Sequence, residues 1–419
     1  MKILIIPFVF LMSLNAFAQK DTLKLSLENA ENTFLDKNLQ LIANKLNIEE
    51  SKAYEIQAKL RPNPNLYVEQ MPYNSQKKEI VGLKQSNSEQ IVQFQQLFLL
   101  AQKRQKQFDL AQANTELTGH MMEELLRNLK FQLRSSFYDV YYYRQAINLY
   151  NIEIAKIQET LNLYQSQFEK GNIPLKDMNR LRAYLISLNT EKQGIASNYI
   201  DAQHDLGILL NLPQGLIVEP KVTPNEGNSD KLIPDFKQLF DLALANRPDM
   251  KIADSYQNIA NRNLKLQEAL KTPDLNMHLN FDRNGSFIAN YVGIGADMTL
   301  PIFNKNQGNI QAAKIRVLEA NKGKEITNQT ITKDIESSLD KALQSDKLLK
   351  SFDLAFTSSF TDFIDGVIKN YEKRNIDVVE FIDFFDSYKG TILQINQLEH
   401  DRKSAFEGLN FTVGTTIFN

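Results

Sequence analysis

The segments LNMHLNFD at residues 275–282 and YVGIGADMTL at residues 291–300 decide the fold of this chain. In each segment apolar side chains alternate with polar or small ones, which is typical of a β-strand with two unlike faces. The polar turn beginning at Arg283 joins them as a hairpin would. Strands of about nine residues are long enough to cross a membrane. We expect the lipid face to contain Val292, Ile294 and Met298, while Asp297 on the other face needs water.

A second pair of strands is predicted at residues 66–71 and 90–98, so that the chain contributes four. Four strands cannot close a membrane barrel, because the smallest such barrels have about eight. Open sheet edges are not tolerated in lipid. Several protomers must therefore share one barrel, and a cyclic oligomer of at least three is favoured. The alternative is a soluble hairpin packed on helices.

The chain repeats itself. Residues 28–70 run parallel to residues 237–279, so that Asn38 aligns with Arg247, and residues 168–181 later align with residues 371–384. Two copies of one unit of about 200 residues explain the length. The predicted division is a signal peptide at 1–18, a first repeat at 19–215, a linker at 216–234 and a second repeat at 235–419.

Long helices are predicted where proline is absent, at residues 100–169 and 308–372. Each stretch is about 100 Å long if it is helical throughout. Apolar residues in the first stretch alternate spacings of three and four from Leu133 to Phe168, which is a coiled-coil stripe. In the second stretch the stripe runs from Leu349 to Tyr371 with a slightly longer period. The sequence therefore predicts a mainly α fold with a small β part.

Composition excludes several classes of protein. The 48 Lys and Arg against 50 Asp and Glu leave no basic excess for binding nucleic acid. The absence of cysteine excludes disulfides, thiolate metal sites and a lipidated N-terminal cysteine. The four histidines lack ligand-like neighbours, and Met121, Met122 and Met277 are too scattered for a copper site. With no nucleotide-binding or hydrolase motif, we expect no cofactor, no metal site and no enzyme activity.

The layout resembles the TolC-type outer-membrane efflux proteins. The resemblance is carried by RPNPNL (61–66) and TPDL (272–275) before the first strand of each copy, LPIFNKNQGNIQAAKI (300–315) after the second strand, FEKGNIPLKDMNRLRAY (168–184) at a helical turn, and LGILLNLP (206–213). Within that family the chain is most similar to the CzcC/CusC-like members, which serve heavy-metal efflux pumps.

The resemblance implies a homotrimer with a shared 12-stranded barrel in the outer membrane and a helical barrel in the periplasm. The implied function is a passive exit duct that docks to a periplasmic adaptor and an inner-membrane pump of the RND type. Heavy-metal cations are the leading substrate, with drug efflux or type I secretion as the alternative. A soluble periplasmic coiled-coil adaptor or scaffold is the alternative of another class. Many family members are lipidated, but this cysteine-free chain would be anchored by its barrel alone.

The turns at residues 171–175 and 374–378 resemble the periplasmic tips of that family, although Arg374 replaces the usual glycine. By this resemblance Glu380 and Asp383 would line the closed pore as gate acids. They are three residues apart on one helical face, and a ring of such carboxylates attracts cations. A solvated helix face is the alternative. Residues that could pair with neighbouring acids and hold the gate closed lie on the first hairpin: Asp177, Arg180 and Arg182.

Overall fold

The computed structural model describes residues 21–75, 78–80, 89–222, 232–284, 288–352, 364 and 366–418. The predicted signal peptide at 1–18 lies outside the described residues. The fold is mainly helical with a small β part, as the sequence predicts. No helix among the described residues combines the length and the hydrophobicity needed to cross a membrane.

The elements follow one order twice. The first half contains β1 (Asp21–Leu25), α1 (Leu27–Lys37), α2 (Leu39–Lys59), β2 (Asn65–Gln70), β3 (Tyr73–Asn74), β4 (Glu79–Ile80), β5 (Gln90–Phe98), α3 (Lys103–Glu169) and α4 (Leu175–Leu209). The second half contains β6 (Leu216–Pro220), α5 (Phe236–Asn246), α6 (Pro248–Leu270), β7 (Leu275–Asp282), β8 (Tyr291–Met298), α7 (Gln307–Lys350) and α8 (Val378–Val413). Residues 366–372 are also helical and precede α8 across a turn.

The aligned pair Asn38 and Arg247 occupies the same position in both halves. Each residue interrupts two consecutive helices with an extended backbone, at φ −65° and ψ 119° for Asn38 and φ −70° and ψ 122° for Arg247. Each side chain also donates to a carbonyl near the end of a later helix. Asn38 Nδ2 lies 2.9 Å from the Leu209 oxygen, and Arg247 Nη1 lies 3.2 Å from the Thr412 oxygen. The two halves therefore share this joint although its side chain differs.

Four strands form one antiparallel sheet in the order β2-β5-β7-β8. The predicted strands thus pair across the two halves, because β5 bonds to β7. A separate parallel pair, β1 with β6, was not predicted from the sequence. Its strand β6 occupies the first residues of the predicted linker at 216–234, and Val218 is buried there. The boundaries at 215 and 235 stay predictions.

The first long helix is continuous as predicted. Helix α3 has 67 residues, which corresponds to about 100 Å. The second proline-free stretch is not one helix, because α7 ends at Lys350. There the Ser351 hydroxyl bonds the Leu348 carbonyl at 2.7 Å, and two lysines in the last turn complement the helix dipole. The aromatic residues of the second stripe at 356, 360 and 363 lie outside the described residues.

Buried apolar side chains form separate clusters along the length of the helices. One cluster joins α1, α3, α4 and the β1-β6 pair around Phe34 and Phe137. Another joins α5, α7 and the end of α8 around Phe406. A third lies toward the tips, where α3, α4 and α8 pack around Phe381 and Phe385. The helices are therefore fixed to one another along their length and not only at one end.

Candidate functional site

The four-stranded sheet has one continuous apolar face. The register aligns Leu66, Phe94, Leu279 and Ile294 in one row across all four strands, and Val68, Val92, Phe281 and Val292 in the next. The predicted lipid-facing residues Val292, Ile294 and Met298 are 65%, 80% and 41% exposed and share this face. Gln96 is a polar exception, and it donates to the Pro62 and Leu97 carbonyls. Among the described residues, nothing covers most of this apolar surface.

The opposite face of the same sheet is polar. It presents Gln93, Gln95, Asn276, His278, Asn280 and Asp297. Asn276 donates to Asp297 at 3.0 Å, and His278 Nδ1 lies 3.4 Å from the same carboxylate. The imidazole of His278 occupies the space in which Gly295 would otherwise carry a Cβ atom. This glycine therefore allows a side chain of the neighbouring strand to lie flat on the polar face.

The two helical tips share one turn geometry. In the first tip the amide of Gly171 bonds the Phe168 carbonyl at 2.8 Å, and Asn172 bonds Gln167 at 2.9 Å. In the second tip Arg374 bonds Tyr371 at 2.9 Å, and Asn375 bonds Asn370 at 2.9 Å. Both turns end their helix through a residue with positive φ, as helix C-termini commonly do.

Arg374 adopts the left-handed conformation that Gly171 has in the first tip. Its φ is 61°, against 74° at Gly171 in the other tip. A residue with a Cβ atom in this left-handed region costs about 1–2 kcal/mol. The second tip therefore has the same turn geometry as the first, with backbone strain at Arg374.

The predicted gate acids lie on the first turns of α8. Glu380 and Asp383 are both exposed. Glu380 also completes a capping box, because its carboxylate accepts the Asp377 amide at 3.1 Å while Asp377 accepts the Val379 and Glu380 amides. These backbone hydrogen bonds lower the pKa of Asp377, and the nearby Arg180 and Lys176 lower it further. Asp383 is consequently the acid with no capping duty.

The residues on the first hairpin that were predicted to pair with acids form few contacts with charged groups. Arg182 donates to Gln165 at 3.1 Å, and Arg180 lies close enough to Asp377 to act on its charge. Asp177 is half-buried near Tyr371 and raises the pKa of that tyrosine, after the larger effect of burial. Among the described residues no carboxylate lies within 4 Å of either arginine. The two arginines therefore form no ion pair with the described part of their own protomer, and pairing across protomers stays a prediction.

Sequence reasoning missed the contacts that join the two hairpins above the tips. The rings of Tyr164 and Tyr371 stack at 4.7 Å, and Tyr371 stacks on Phe381 at 4.1 Å. Lys389 is buried and binds Glu191 at 2.7 Å and Asp386 at 2.8 Å. Tyr164 and Tyr371 belong to the predicted stripes, so their periodicity was a usable signal, whereas Phe381 lies beyond the second stripe. A lysine on the buried side of a helix gives no such signal.

The arrangement of histidine and carboxylate side chains decides whether a metal ion could bind. Within the described part of the chain, no three His, Asp or Glu side chains are grouped as metal ligands. His400 lies 2.6 Å from Asp139 and His278 lies 3.4 Å from Asp297, which are pairs and not ligand sets. The geometry thus offers a two-faced sheet at one end of α3 and an acidic tip about 100 Å away at the other.

The comparisons with known proteins agree with this arrangement. Residues 239–352 match the family model described as outer membrane efflux protein. Nothing among curated proteins matches the chain. Among solved structures, CusC is 15% identical, with 93% of this chain and 92% of that chain covered and a TM-score of 0.73.

Two further structures have the same fold. A membrane protein from Pseudomonas aeruginosa is 15% identical over 93% of this chain and 92% of its own, with a TM-score of 0.74. The Neisseria gonorrhoeae MtrE outer membrane channel is 16% identical over 93% and 89%, with a TM-score of 0.72. At these identities the structures establish a shared fold, and the family match adds a sequence signature over residues 239–352 of the second half.

Proposed function

We propose that the chain is a TolC-type outer-membrane efflux protein and the passive outer-membrane duct of a tripartite efflux system, on the basis of its fold and of the family match at residues 239–352. It belongs with channels and not with enzymes. The observation that carries the proposal is the sheet with one exposed apolar face and one polar face. Such a sheet suits lipid on one side and a water-filled lumen on the other.

The open edges of the sheet support a trimer. Strands β2 and β8 each pair on one side only within the described protomer, which leaves a row of unpaired backbone groups on each. Such edges are not tolerated in lipid. If β8 of one protomer pairs with β2 of the next, three protomers give twelve strands and abolish every edge. In that assembly the sheets would form the outer-membrane barrel and α3, α4, α7 and α8 would reach through the periplasm.

The tips would then form the periplasmic gate. Three copies of Glu380 and Asp383 around one axis give six carboxylates, which would attract cations and repel one another at close range. Asp383 is the stronger candidate for a pore-lining role, because the carboxylate of Glu380 is already engaged in the cap. Arg180 and Arg182 are exposed and without a carboxylate partner in the described protomer, and Asp177 lies beside them on α4. They are available to pair with a neighbouring copy.

The proposed partners are a periplasmic adaptor and an inner-membrane pump of the RND type. The energy would come from that pump, since a duct of this design has no use for a nucleotide site. Heavy-metal cations are the proposed substrate, because of the acidic tip and the likeness to the CzcC/CusC-like branch. Drug efflux or type I secretion remains the alternative, since the fold is shared with several outer-membrane channels.

Cell fractionation tests the location and the class of function together. We expect the protein in the outer-membrane fraction as a trimer that dissociates only on heating in detergent. A monomer in the soluble periplasmic fraction would instead establish the adaptor or scaffold alternative. Growth of a deletion strain on copper, zinc, cobalt and cadmium salts, dyes and antibiotics then separates the substrates. Sensitivity confined to metals supports the metal proposal, and sensitivity confined to amphiphilic compounds overturns it.

A further inference from the structure

The contact between α3 and α8 contains two clusters of titratable side chains that the duct itself does not require. One cluster surrounds Glu153 near the tips, and the other surrounds His400 farther along α8. Both clusters lie between the first hairpin, α3 with α4, and the second hairpin that ends in α8. Any movement of one hairpin away from the other must therefore break both of them.

Glu153 is buried and has no hydrogen-bond partner among the described residues. Its side chain is on α3, the residue is 1% exposed, and neither carboxylate oxygen accepts a hydrogen bond from the described residues. The titratable groups that face it are Tyr150 on α3, Tyr184 and Glu191 on α4, and Asp386 and Lys389 on α8.

Lys389, the cation that acts on Glu153 among the described residues, is already shared. Lys389 binds Glu191 at 2.7 Å and Asp386 at 2.8 Å, while Tyr150 and Ser187 donate to Glu191 at 3.1 Å and 2.9 Å. Burial raises the pKa of Glu153 to about 8, the attraction of Lys389 offsets part of the rise, and Asp386 and Glu191 add to it. Glu153 is thus held as a neutral acid near pH 7, because an ionised form would be a third carboxylate around one ammonium group.

The His400 cluster responds to protons in the same direction. His400 Nε2 lies 2.6 Å from Asp139 on α3, Nδ1 lies 3.6 Å from Asp401, and the ring packs edge-on against Tyr142. Glu399 and Arg402 on α8 also act on Tyr142 beside it. Burial lowers the pKa of His400, but the hydrogen bond and charge of Asp139 outweigh it and the net shift is upward. The protonated imidazole therefore strengthens its bond to α3.

We propose that the α3–α8 contact is a proton-operated latch, which holds the two hairpins together in acid and releases them as the pH rises. The idea that this release frees the gate rests on the proposed function. The latch itself is a property of the helix contact alone. In both clusters, loss of a proton weakens the contact between α3 and α8. Ionisation of Glu153 introduces an uncompensated buried charge, and deprotonation of His400 removes the charge that pairs with Asp139.

The pH window follows from the Glu153 shift. Its carboxyl has an ordinary pKa of 4.5 once α8 has moved away and a pKa of about 8 while it is buried. The closed state therefore binds the extra proton between these values, and its stability falls as the pH rises through them. Between pH 6 and pH 8 the equilibrium constant for local opening should rise roughly 50-fold from Glu153 alone. His400 adds to the fall as the pH rises through its own raised pKa.

Hydrogen exchange of the full-length protein tests the latch. Amides of α8 between residues 381 and 400 are followed at pH 6, 7 and 8, with rates corrected for the intrinsic pH dependence of exchange. In the wild type we expect the corrected rates to rise by at least about 10-fold over this range. In Glu153→Gln most of that rise should vanish, and in Glu153→Gln combined with His400→Gln the rates should be flat. Glu153→Leu should behave as Glu153→Gln does.

Glu159→Gln is the matched control, because Glu159 is an exposed carboxylate on the same helix. It should keep the wild-type pH dependence. A flat wild-type profile, or the same profile in wild type and in Glu153→Gln, would overturn the latch. Conductance in lipid bilayers, measured on the same samples, tests the proposed function separately. Conductance combined with pH-independent exchange would support the duct and refute the latch. Exchange that depends on pH in a protein without conductance would support the latch and refute the duct.

Discussion

Replacing Arg374 by glycine should stabilise the second tip. The residue has a φ of 61°, and left-handed backbone with a Cβ atom costs about 1–2 kcal/mol. Glycine relieves that strain but makes the unfolded chain more flexible, which costs about 0.5–1 kcal/mol. The net gain is about 0.5–1 kcal/mol, or roughly a two- to five-fold smaller population of the open tip.

The assay is amide exchange at Asn375, whose N–H bonds the Asn370 carbonyl at 2.9 Å and closes this turn. Exchange at that amide should slow about two- to five-fold in Arg374→Gly. The other tip supplies the reciprocal control, since Gly171 has a φ of 74° and no atom near the position of a new Cβ. Gly171→Ala should therefore speed exchange at Asn172 through the backbone alone.

Lys373→Gly is the control that adds the flexibility of a glycine without relieving backbone strain. Lys373 is exposed and lies in the same turn, but its φ is not positive. It should speed exchange at Asn375. If Arg374→Gly also speeds exchange, or leaves it unchanged, the tip is not strained and the reasoning from φ is refuted.

Three further substitutions test other parts of the structure. Glu153→Gln should raise the free energy of unfolding by about 3 kcal/mol at pH 7, from the 2.5 units between pH 7 and the ordinary pKa of 4.5, and by almost nothing at pH 4. Denaturant unfolding at both pH values checks this, and an equal gain at both would contradict it. Arg247→Met should cost about 3 kcal/mol, because it strands the carboxylates of Asp249 and Asp334 that the buried guanidinium binds at 2.6 Å and 3.0 Å. Thermal unfolding measures that loss, and a loss no larger than that of exposed Lys237→Met would argue against the role of Arg247 between the two helices. Ile294→Arg on the apolar face of the sheet should cost about 2–4 kcal/mol of stability in lipid, whereas Gln95→Arg on the polar face should cost little. Refolding into vesicles compares the two, and equal effects would mean that the apolar face does not meet lipid.

Much of the fold could be predicted from local sequence patterns. Strands β7 and β8 were predictable because every second side chain changes polarity, and that alternation sets the two faces of the sheet. The alignment of Asn38 with Arg247 was predictable from the repeat, and the structure gives both residues the same backbone. The helix α3 followed from the absence of proline and the heptad stripe. Each of these features depends on residues close in sequence or on a period.

The remaining features depend on distant partners. The parallel pairing of β1 with β6 joins residues almost 200 positions apart, and nothing in the five residues of either strand specifies its partner. The end of α7 at Lys350 lies within a favourable helical sequence, where no proline or glycine marks the stop. Glu153 looks like an ordinary polar position of α3, and only the packing of α4 and α8 makes it a buried acid. The capping hydrogen bond of Glu380 likewise depends on Asp377 being the N-cap residue of α8.

We propose that three copies of this chain form a water-filled duct whose narrow end is lined by the tip acids. Single-channel conductance of the purified protein in planar lipid bilayers tests it most directly, with Glu380→Gln combined with Asp383→Asn as the variant. The duct predicts discrete conductance steps in the wild type that divalent cations reduce, and a weaker reduction in the variant. An absence of conductance steps from protein that inserts as a trimer would contradict the duct. Equal cation block in both proteins would contradict the pore-lining role of the acids.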